Sequence, residues 1–590
     1  MNPFNPPLPS DAYQTQYWSD AHGSARSLAI AQAASEAPGP LVVICENNES
    51  VEELRRELRY FTSVYPALKL FTLPDWETLP YDNFSPHQDI VSDRLSALFH
   101  LPALERGVLV VSITSLMHKL PPKNYVLANT LKLKIGQNLD INRLRTQLVS
   151  AGYQSVDAVY EHGEFAVRGS IIDLFPMGSK QPFRIDLWDD EIETLRLFDP
   201  ETQLSQGKID EIRLLPGREY PLDETGITRF RNAFRDRFDV DLRQAPLYQD
   251  VSEGIASPGL EYYLALFFDE LNSVFDYLPD SATLCRLGRL KDAGDSFWLD
   301  IVSRFDERQF DRQRPILNPD ESFIQIDELL REFKRFRQIE FKQDPSAYSL
   351  GSSPLPTLSS DSSLKMPFAA LLQFLAERPD QRILFCAESA GRRETLIEVL
   401  KQISLRPRQF DHWQDFVDSD ELLGIAIAPL DHGLWLEDQQ LLLVTEAQLF
   451  GNRVAQRRRR RATQSNTDFI VKSLTELRLN DAVVHIDHGV GRYRGLETIV
   501  TDGQATEFLM LEYANEAKLY VPVASLHLIS RYSGGEDGAP LNSLGTDQWS
   551  KAKRKAAEKI RDVAAELLDI YAQREAKKGY TYKVTDIDYG

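Results

Sequence analysis

The chain has 590 residues, more than one hydrophobic core usually organises, so several domains are expected. A net charge of −21 argues against a generic nucleic-acid coat protein, and three scattered cysteines argue against a disulfide framework or a zinc ribbon. Neither a long apolar run nor a secretion signal is present, so we expect a protein of the reducing cytoplasm.

The charge is unevenly distributed along the sequence. Residues 451–590 hold 22 basic and 19 acidic residues, a net of +3. The first 450 residues hold 45 basic and 69 acidic residues, a net of −24. Such an acidic surface suits protein partners better than bare DNA.

The first part of the chain alternates strands with helices. Short apolar runs predict strands at Pro40–Cys45, Lys69–Thr72 and Gly107–Ser112. Helical spacing of apolar residues predicts helices at Val51–Phe61 and Ile90–Leu104. This alternation indicates a parallel sheet with helices on its faces.

Between residues 153 and 198 the pattern changes to short alternating strands separated by turn residues. They are predicted at Phe165–Val167, Ile171–Phe175, Phe183–Leu187 and Ile192–Phe198. We expect a small antiparallel sheet carried by the larger α/β unit.

The second half begins with a Ser/Pro-rich segment, 346–367, which is predicted to be a linker. A second α/β unit follows, with predicted strands at Arg382–Ala387, Leu422–Ala428 and Gln440–Thr445 and a predicted helix at Gly391–Ile403. A compact β module then has predicted strands at Ala482–His485, Glu507–Tyr513 and Lys518–Val523. The last predicted element is one long helix, Trp549–Lys578.

The fold class is therefore multidomain α/β and α+β. The predicted domains are an α/β unit in two parts (1–128 and 215–345), an inserted antiparallel domain (129–214), a linker (346–367), a small α/β domain (368–455), a basic linker (456–475), the β module (476–546) and the helical region (547–590).

No phosphate-binding string GxxxxGK[ST] occurs in the chain. The nearest match is the segment HGSARS, in which Gly23, Ser24, Arg26 and Ser27 occupy loop positions and Ala25 stands where a glycine is expected. Arginine is a poor substitute for the lysine of a tight phosphate cradle. The segment is a degenerate phosphate loop or an ordinary loop before a helix, and neither supports ATP hydrolysis.

The β module contains a histidine-rich turn. His485, Asp487 and His488 could suggest a metal site, but at this spacing they are more typical of turn and core residues, so we expect no metal. Gly489, Gly491 and Gly495 permit tight turns and positive φ.

A basic run lies just before the β module. It could contact DNA phosphates, form a solvated helix face or pair with the acidic first half. Its residues are Arg453, Arg457, Arg458, Arg459, Arg460 and Arg461.

Three sequence blocks together resemble one family. They are LPDWETLPYDNFSPHQDIVSDRLSAL (73–98), EHGEFAVRGSIIDLFPMGSKQPFRIDLWDDEIETLRLFD (161–199) and HIDHGVGRYRG (485–495). The first two resemble the UvrB-like module of bacterial transcription-repair coupling factors, and the third resembles their CarD-like domain that interacts with RNA polymerase. The resemblance covers nearly the whole chain, and it depends on the order and spacing of the three blocks together.

The resemblance implies a scaffold rather than a motor. The first α/β unit would be a degenerate RecA-type unit, and the β module a Tudor/SH3-like barrel. The implied UvrA-binding residues are Arg168, Arg184 and Trp188. The implied contact with the RNA polymerase β subunit is an edge strand with Ile499 as its apolar anchor, although Ile499 could instead fill the barrel core. That strand contributes Leu496, Thr498, Ile499 and Val500.

In the family, an ATP-dependent DNA translocase displaces the stalled polymerase. We expect its helicase motifs, with their ATP and Mg²⁺, to follow beyond this sequence, and the helix Trp549–Lys578 to be the connector to them. For this chain we expect no cofactor, and weak DNA binding or none. Two alternatives are a UvrB-like helicase or ATPase of excision repair and a standalone CarD-like transcription regulator.

Overall fold

The computed structural model describes residues 3–200, 203–361, 366–451, 477, 479–501, 504–532 and 541–544. The chain divides into two compact units, Met1–Gly451 and Asn452–Gly590. The predicted helix Trp549–Lys578 and the basic run Arg453–Arg461 lie outside the described residues.

The strands of the first unit are β1 (Thr15–Ser19), β2 (Leu41–Cys45), β3 (Lys69–Thr72), β4 (Gly107–Ser112), β5 (Leu131–Lys134), β6 (Gln154–Ser155), β7 (Glu164–Arg168), β8 (Ile171–Leu174), β9 (Phe183–Trp188), β10 (Glu191–Phe198), β11 (Ser205–Ile209), β12 (Glu211–Leu214), β13 (Thr283–Arg286), β14 (Arg337–Phe341), β15 (Tyr348–Ser349), β16 (Arg382–Ala387), β17 (Arg408–Phe410), β18 (Leu423–Ile427), β19 (Leu434–Leu436) and β20 (Leu441–Thr445).

Its helices are α1 (Ala25–Glu36), α2 (Asn48–Phe61), α3 (Gln88–His100), α4 (Ile113–Leu116), α5 (Lys123–Ala128), α6 (Ile141–Ser150), α7 (Glu224–Arg237), α8 (Pro246–Ser252), α9 (Val274–Tyr277), α10 (Leu290–Arg308), α11 (Pro319–Ser322), α12 (Ile326–Phe333), α13 (Ala369–Glu377), α14 (Ala390–Gln402), α15 (Trp413–Val417) and α16 (Glu446–Phe450).

The main sheet of the first unit has seven strands in the order β15-β1-β14-β13-β2-β4-β3, and every described pairing in it is parallel. Every residue of β2 and β4 is buried, as expected for strands covered on both faces by helices. A second sheet, β17-β18-β16-β20-β19, is parallel except for its edge strand β19. The two predicted α/β sheets are therefore confirmed.

The antiparallel domain has six strands in the order β11-β10-β9-β8-β7-β6, in which only the short β6 runs parallel to its neighbour. The four predicted strands correspond to β7 through β10. A separate two-stranded ribbon pairs β5, where the chain enters the domain, with β12, where it leaves. The domain is thus an insertion with adjacent ends.

The segment 346–367 differs from the predicted linker. Its start forms β15 and extends the main sheet, and the Ser360 N–H donates to the Leu449 carbonyl oxygen at 2.7 Å beside the second sheet. Leu350 and Leu358 are buried in the cores on the two sides. Its Ser/Pro composition excludes regular helix, but apolar residues within it still pack against both sheets.

The second unit contains β21 (Ala482–His485), β22 (Gly489–Thr501), β23 (Gln504–Glu512), β24 (Lys518–Pro522) and β25 (Ile529–Arg531). They form an antiparallel sheet in the order β24-β23-β22-β21-β25, and the predicted hairpin of β23 and β24 is confirmed. Across the described residues the end strands β24 and β25 do not pair with each other, so closure into the expected barrel is not seen.

None of the described helices combines the length and the apolar character needed to cross a bilayer.

Candidate functional sites

The predicted phosphate loop lies between β1 and α1, and it is filled by protein. The Ser24 N–H, at the start of α1, donates to the Gly433 carbonyl oxygen at 2.8 Å, and the Ser24 hydroxyl donates to the same oxygen at 3.2 Å. Gly23 has φ +57°, and a Cβ there would overlap that carbonyl. A backbone oxygen thus takes the donors at a helix N-terminus that a phosphate would need.

The other loop residues also serve internal contacts. Ser27 is buried and its hydroxyl donates to the carboxylate of Glu57. Glu57 lies 3.4 Å from Nδ1 of His432, and Glu53 lies 3.1 Å from the same atom. The hydrogen bond to Glu57 raises the pKa of His432. Arg26 is half-buried, and its Nε has no hydrogen-bond partner among the described residues.

The three residues of the predicted UvrA surface lie on β7 and β9. Arg184 contacts the fully buried carboxylate of Asp173 twice, with Nε at 2.7 Å and Nη2 at 3.0 Å. Arg168 pairs with the same carboxylate. Trp188 is 74% exposed at the end of β9. The structure therefore brings the two arginines together on a carboxylate that sequence analysis missed.

These residues differ in what they offer a partner. The Arg184 side chain is only 13% exposed, and its guanidinium lies 4.9 Å from the centre of the Phe198 ring. Arg168 is 45% exposed and retains free N–H donors toward solvent. Arg168 and Trp188 are therefore accessible for binding, whereas Arg184 chiefly neutralises Asp173 and positions the strand.

A buried ion pair joins α3 to the segment that follows β12, where the chain returns to the α/β unit. Arg94 of α3 and Glu219, which follows β12, are 0% and 1% exposed, with Nη2 of Arg94 3.0 Å from the carboxylate. Trp76 donates from its ring nitrogen to the same carboxylate at 2.8 Å. Trp76 and Arg94 both lie in the first family block, 73–98, but that block also carries several acidic residues. Its composition therefore gave no signal that Arg94 pairs with Glu219.

The predicted polymerase-binding strand is the second half of β22. β21 pairs with β22 only over Gly489–Arg492, whereas β23 pairs with it as far as Thr501. From Gly495 to Thr501, β22 therefore has a described partner on one side alone. Such a one-sided strand is a template for adding another strand.

Three consecutive residues of this open edge, 496–498, are exposed. Leu496 is 44% exposed, Thr498 is exposed and Ile499 is half-buried, while the side chain of Val500 lies outside the described residues. The half-buried Ile499 is compatible with either the anchor or the core interpretation. Leu496 is the apolar side chain that is clearly open to a partner.

A bulge shapes β22 just before the open edge. The register shifts between Tyr493 and Gly495, where Gly495 has φ +115°, a conformation that favours glycine. Arg494, at the bulge, pairs with Glu512 of β23 at 2.9 Å. This bulge lies in the ladder with β23, and bulges bend the strand that carries them, so β22 is expected to bend where its open edge begins.

The histidine-rich turn is held by its own hydrogen bond. The Asp487 N–H donates to Nδ1 of His485 at 3.1 Å, and the rings of His485 and His488 have centroids 4.8 Å apart. Burial lowers the pKa of His485. Across the part of the chain that the structure describes, no group of three or more His, Cys, Asp or Glu side chains could hold a metal ion.

Three family profiles match separate parts of the chain. The profile described as the UvrB interaction domain matches residues 131–220, that of the MFD, D3 domain matches 374–449, and that of the CarD-like/TRCF RID domain matches 477–533. These ranges coincide with the antiparallel domain, the second parallel sheet and the sheet of the second unit.

The chain is also similar to whole proteins. The transcription-repair-coupling factor of Escherichia coli (strain K12) is 43% identical over 98% of this chain and 50% of that protein. The chain is related over its length to the N-terminal half of transcription-repair-coupling factors. The factor of Haemophilus influenzae is likewise 43% identical, over 98% of this chain and 51% of its own. The factor of Bacillus subtilis (strain 168) is 26% identical over 95% of this chain and 49% of that protein. The chain thus spans about half the length of these curated relatives.

Proposed function

We propose that this chain is the half of a transcription-repair-coupling factor that grips stalled RNA polymerase and recruits UvrA. The open edge of β22, Gly495–Thr501, is the observation that carries the proposal, because it offers a polymerase subunit a strand to pair with. The five-stranded sheet would be the Tudor/SH3-like barrel of the family, and the β subunit its partner.

The polymerase contact is tested with the exposed leucine of that edge. We expect Leu496→Arg to weaken binding of the purified β subunit by about thirtyfold, the effect of losing a hot-spot residue. The melting temperature of the Leu496→Arg variant should stay near that of the wild type, because the Leu496 side chain is 44% exposed. Tyr520→Arg, at an exposed position of β24, is the matched control and should bind normally. Equal loss in both variants, or none in Leu496→Arg, would contradict the proposal.

Ile499→Arg separates the two interpretations of that residue. If Ile499 anchors the polymerase, the variant should keep its melting temperature and lose binding. If Ile499 fills the core, the variant should unfold at a clearly lower temperature, because a charge would be forced into an apolar site.

We propose that UvrA binds the face of the antiparallel domain that carries Trp188 and Arg168. Trp188 is an exposed aromatic and Arg168 a partly exposed arginine, two residue types that are enriched in binding hot spots. Trp188→Ala should weaken UvrA binding by about thirtyfold or more. Tyr160→Ala, at another exposed aromatic of the domain, is the control and should bind normally. Unchanged affinity of Trp188→Ala in calorimetry would place the UvrA surface elsewhere.

We further propose that this half does not hydrolyse ATP, and that the ATP, Mg²⁺ and translocase activity of the family belong to the other half. The Gly433 carbonyl on the Ser24 donors supports this over a UvrB-like ATPase. The match to the UvrB interaction domain disfavours a standalone CarD-like regulator. DNA-stimulated ATP turnover by the purified chain above a no-protein blank would contradict the proposal.

A further inference from the structure

An open groove of about 600 Å³ lies beside β3, the outermost strand of the main sheet. All four residues of β3, Lys69–Thr72, line it. Side chains of consecutive strand residues point to opposite faces, so a groove that touches all four must follow the edge of the strand. Within the described residues β3 pairs only with β4, on its other side. The groove therefore exposes an unpaired backbone edge.

Three different elements form the walls. α2 packs on one face of the sheet, in the core that contains Val43 and Val110, and α3 packs on the other, in the core that contains Val42 and Val111. Both helices contribute lining residues. The third wall is the loop 178–180 of the antiparallel domain, which is fixed because the Gly178 N–H donates to the Ser92 hydroxyl at 2.8 Å. The result is a slot with a strand edge along its floor.

The slot is basic in an acidic part of the chain. Arg59, Lys69 and Lys180 line it, and all three are exposed. None of the three has an ion-pair partner within the described residues. Asp93 is the one carboxylate among the described lining residues. Since the first 450 residues carry a net charge of −24, three unpaired cations around one strand edge are a local exception.

We propose that this slot binds an extended acidic segment of a partner protein, which adds to β3 as a further strand of the main sheet. The edge would supply backbone hydrogen bonds, and the cations would receive the carboxylates. The half-buried Leu70 and Phe71 offer apolar contact alongside. A nucleic acid fits less well, because its phosphates would not use the strand edge and the chain carries a net charge of −21.

The probe is a fluorescein-labelled decapeptide of alternating glutamate and valine, titrated with the full chain in fluorescence anisotropy. Lys69→Glu/Lys180→Glu should weaken binding by about tenfold or more, since like charges would then face the peptide. The matched control is Lys208→Glu/Lys334→Glu, at exposed positions outside the slot, which makes the same change in net charge. It should bind like the wild type.

Backbone pairing is tested with the same peptide N-methylated at every second residue. Loss of those donors should weaken binding by about tenfold or more if the peptide adds as a strand. The proposal is overturned if the two double variants weaken binding equally, or if N-methylation has no effect. It is also overturned if labelled oligothymidine binds more tightly than the peptide and loses affinity in Lys69→Glu/Lys180→Glu, because the slot would then be a nucleic-acid site. These outcomes do not depend on the polymerase or UvrA experiments.

Discussion

Glu261 gives the sharpest prediction about the stability of the first unit. It lies in the helical segment Leu260–Leu266, beside a cavity of about 370 Å³ that Arg218 and Tyr220 also line. Burial raises the pKa of Glu261 from 4.5 to about 7, although Ser85 donates a hydrogen bond to its carboxylate at 2.8 Å. The folded protein therefore holds a proton that the unfolded chain releases.

The sign and size of the effect follow from this difference in pKa. Between pH 4.5 and 7 the folded state binds more protons than the unfolded state, so the free energy of unfolding falls as the pH rises. By pH 8 the loss should approach about 3 kcal/mol, at 1.36 kcal/mol for each unit of pKa. Glu261→Gln removes the titration and keeps a carbonyl oxygen for the Ser85 hydroxyl. Its advantage over the wild type should be small near pH 4.5 and about 3 kcal/mol at pH 8.

Urea unfolding followed by circular dichroism, from pH 4.5 to 8.5, measures this difference. Glu211→Gln is the control, because Glu211 is exposed and paired with Lys132 at 2.9 Å. That pair holds the pKa of Glu211 below its usual value, so the control should show no gain at pH 8. A constant difference between Glu261→Gln and wild type across the pH range would refute the reasoning, as would a variant that is less stable than wild type at pH 8.

Two further substitutions test the contacts that hold the first unit together. Arg94→Met should lower the free energy of unfolding by about 3–5 kcal/mol, because it leaves the Glu219 carboxylate buried without its cation. Lys132→Met removes one partner of an exposed pair and should lower it by about 1 kcal/mol or less. Equal losses in urea unfolding would contradict the burial argument. Gly23→Ala should speed amide hydrogen exchange throughout the segment 22–36, because a Cβ at φ +57° overlaps the Gly433 carbonyl; unchanged exchange would mean that the loop does not depend on this contact.

The bounds of β3, β4, β16 and β21 match the strands that the sequence predicts. β4 and β16 are almost entirely buried, whereas β3 contains no buried residue. β1, β13 and β14 were missed because TQYWS, TLCR and RQIEF mix polar and apolar residues without a clear period. All three are central in the main sheet. Their pairing joins parts of the chain that are distant in sequence, so no local pattern records it.

In the candidate UvrA site, the exposure of one residue could be predicted from the sequence, whereas the contacts between residues could not. In β9, FRIDLW, the buried Ile185 and Leu187 alternate with Arg184 and Trp188, so period-two spacing alone places the tryptophan on the outer face. The convergence of both arginines on Asp173 depends on cross-strand register and could not be predicted. The available signal was an aspartate inside the apolar run IIDLF, residues 171–175.

The filled phosphate loop could not be predicted from local sequence at all. The oxygen that takes the Ser24 donors belongs to Gly433, 409 residues along the chain. The departures of HGSARS from the motif indicated that a nucleotide would be held poorly, but they gave no indication of what replaces it.

The segment that begins at β15 and continues past Leu358 ties both parallel sheets by backbone pairing and by buried leucines. A displacement of one sheet is therefore expected to move the other, because the segment that connects them is packed against both.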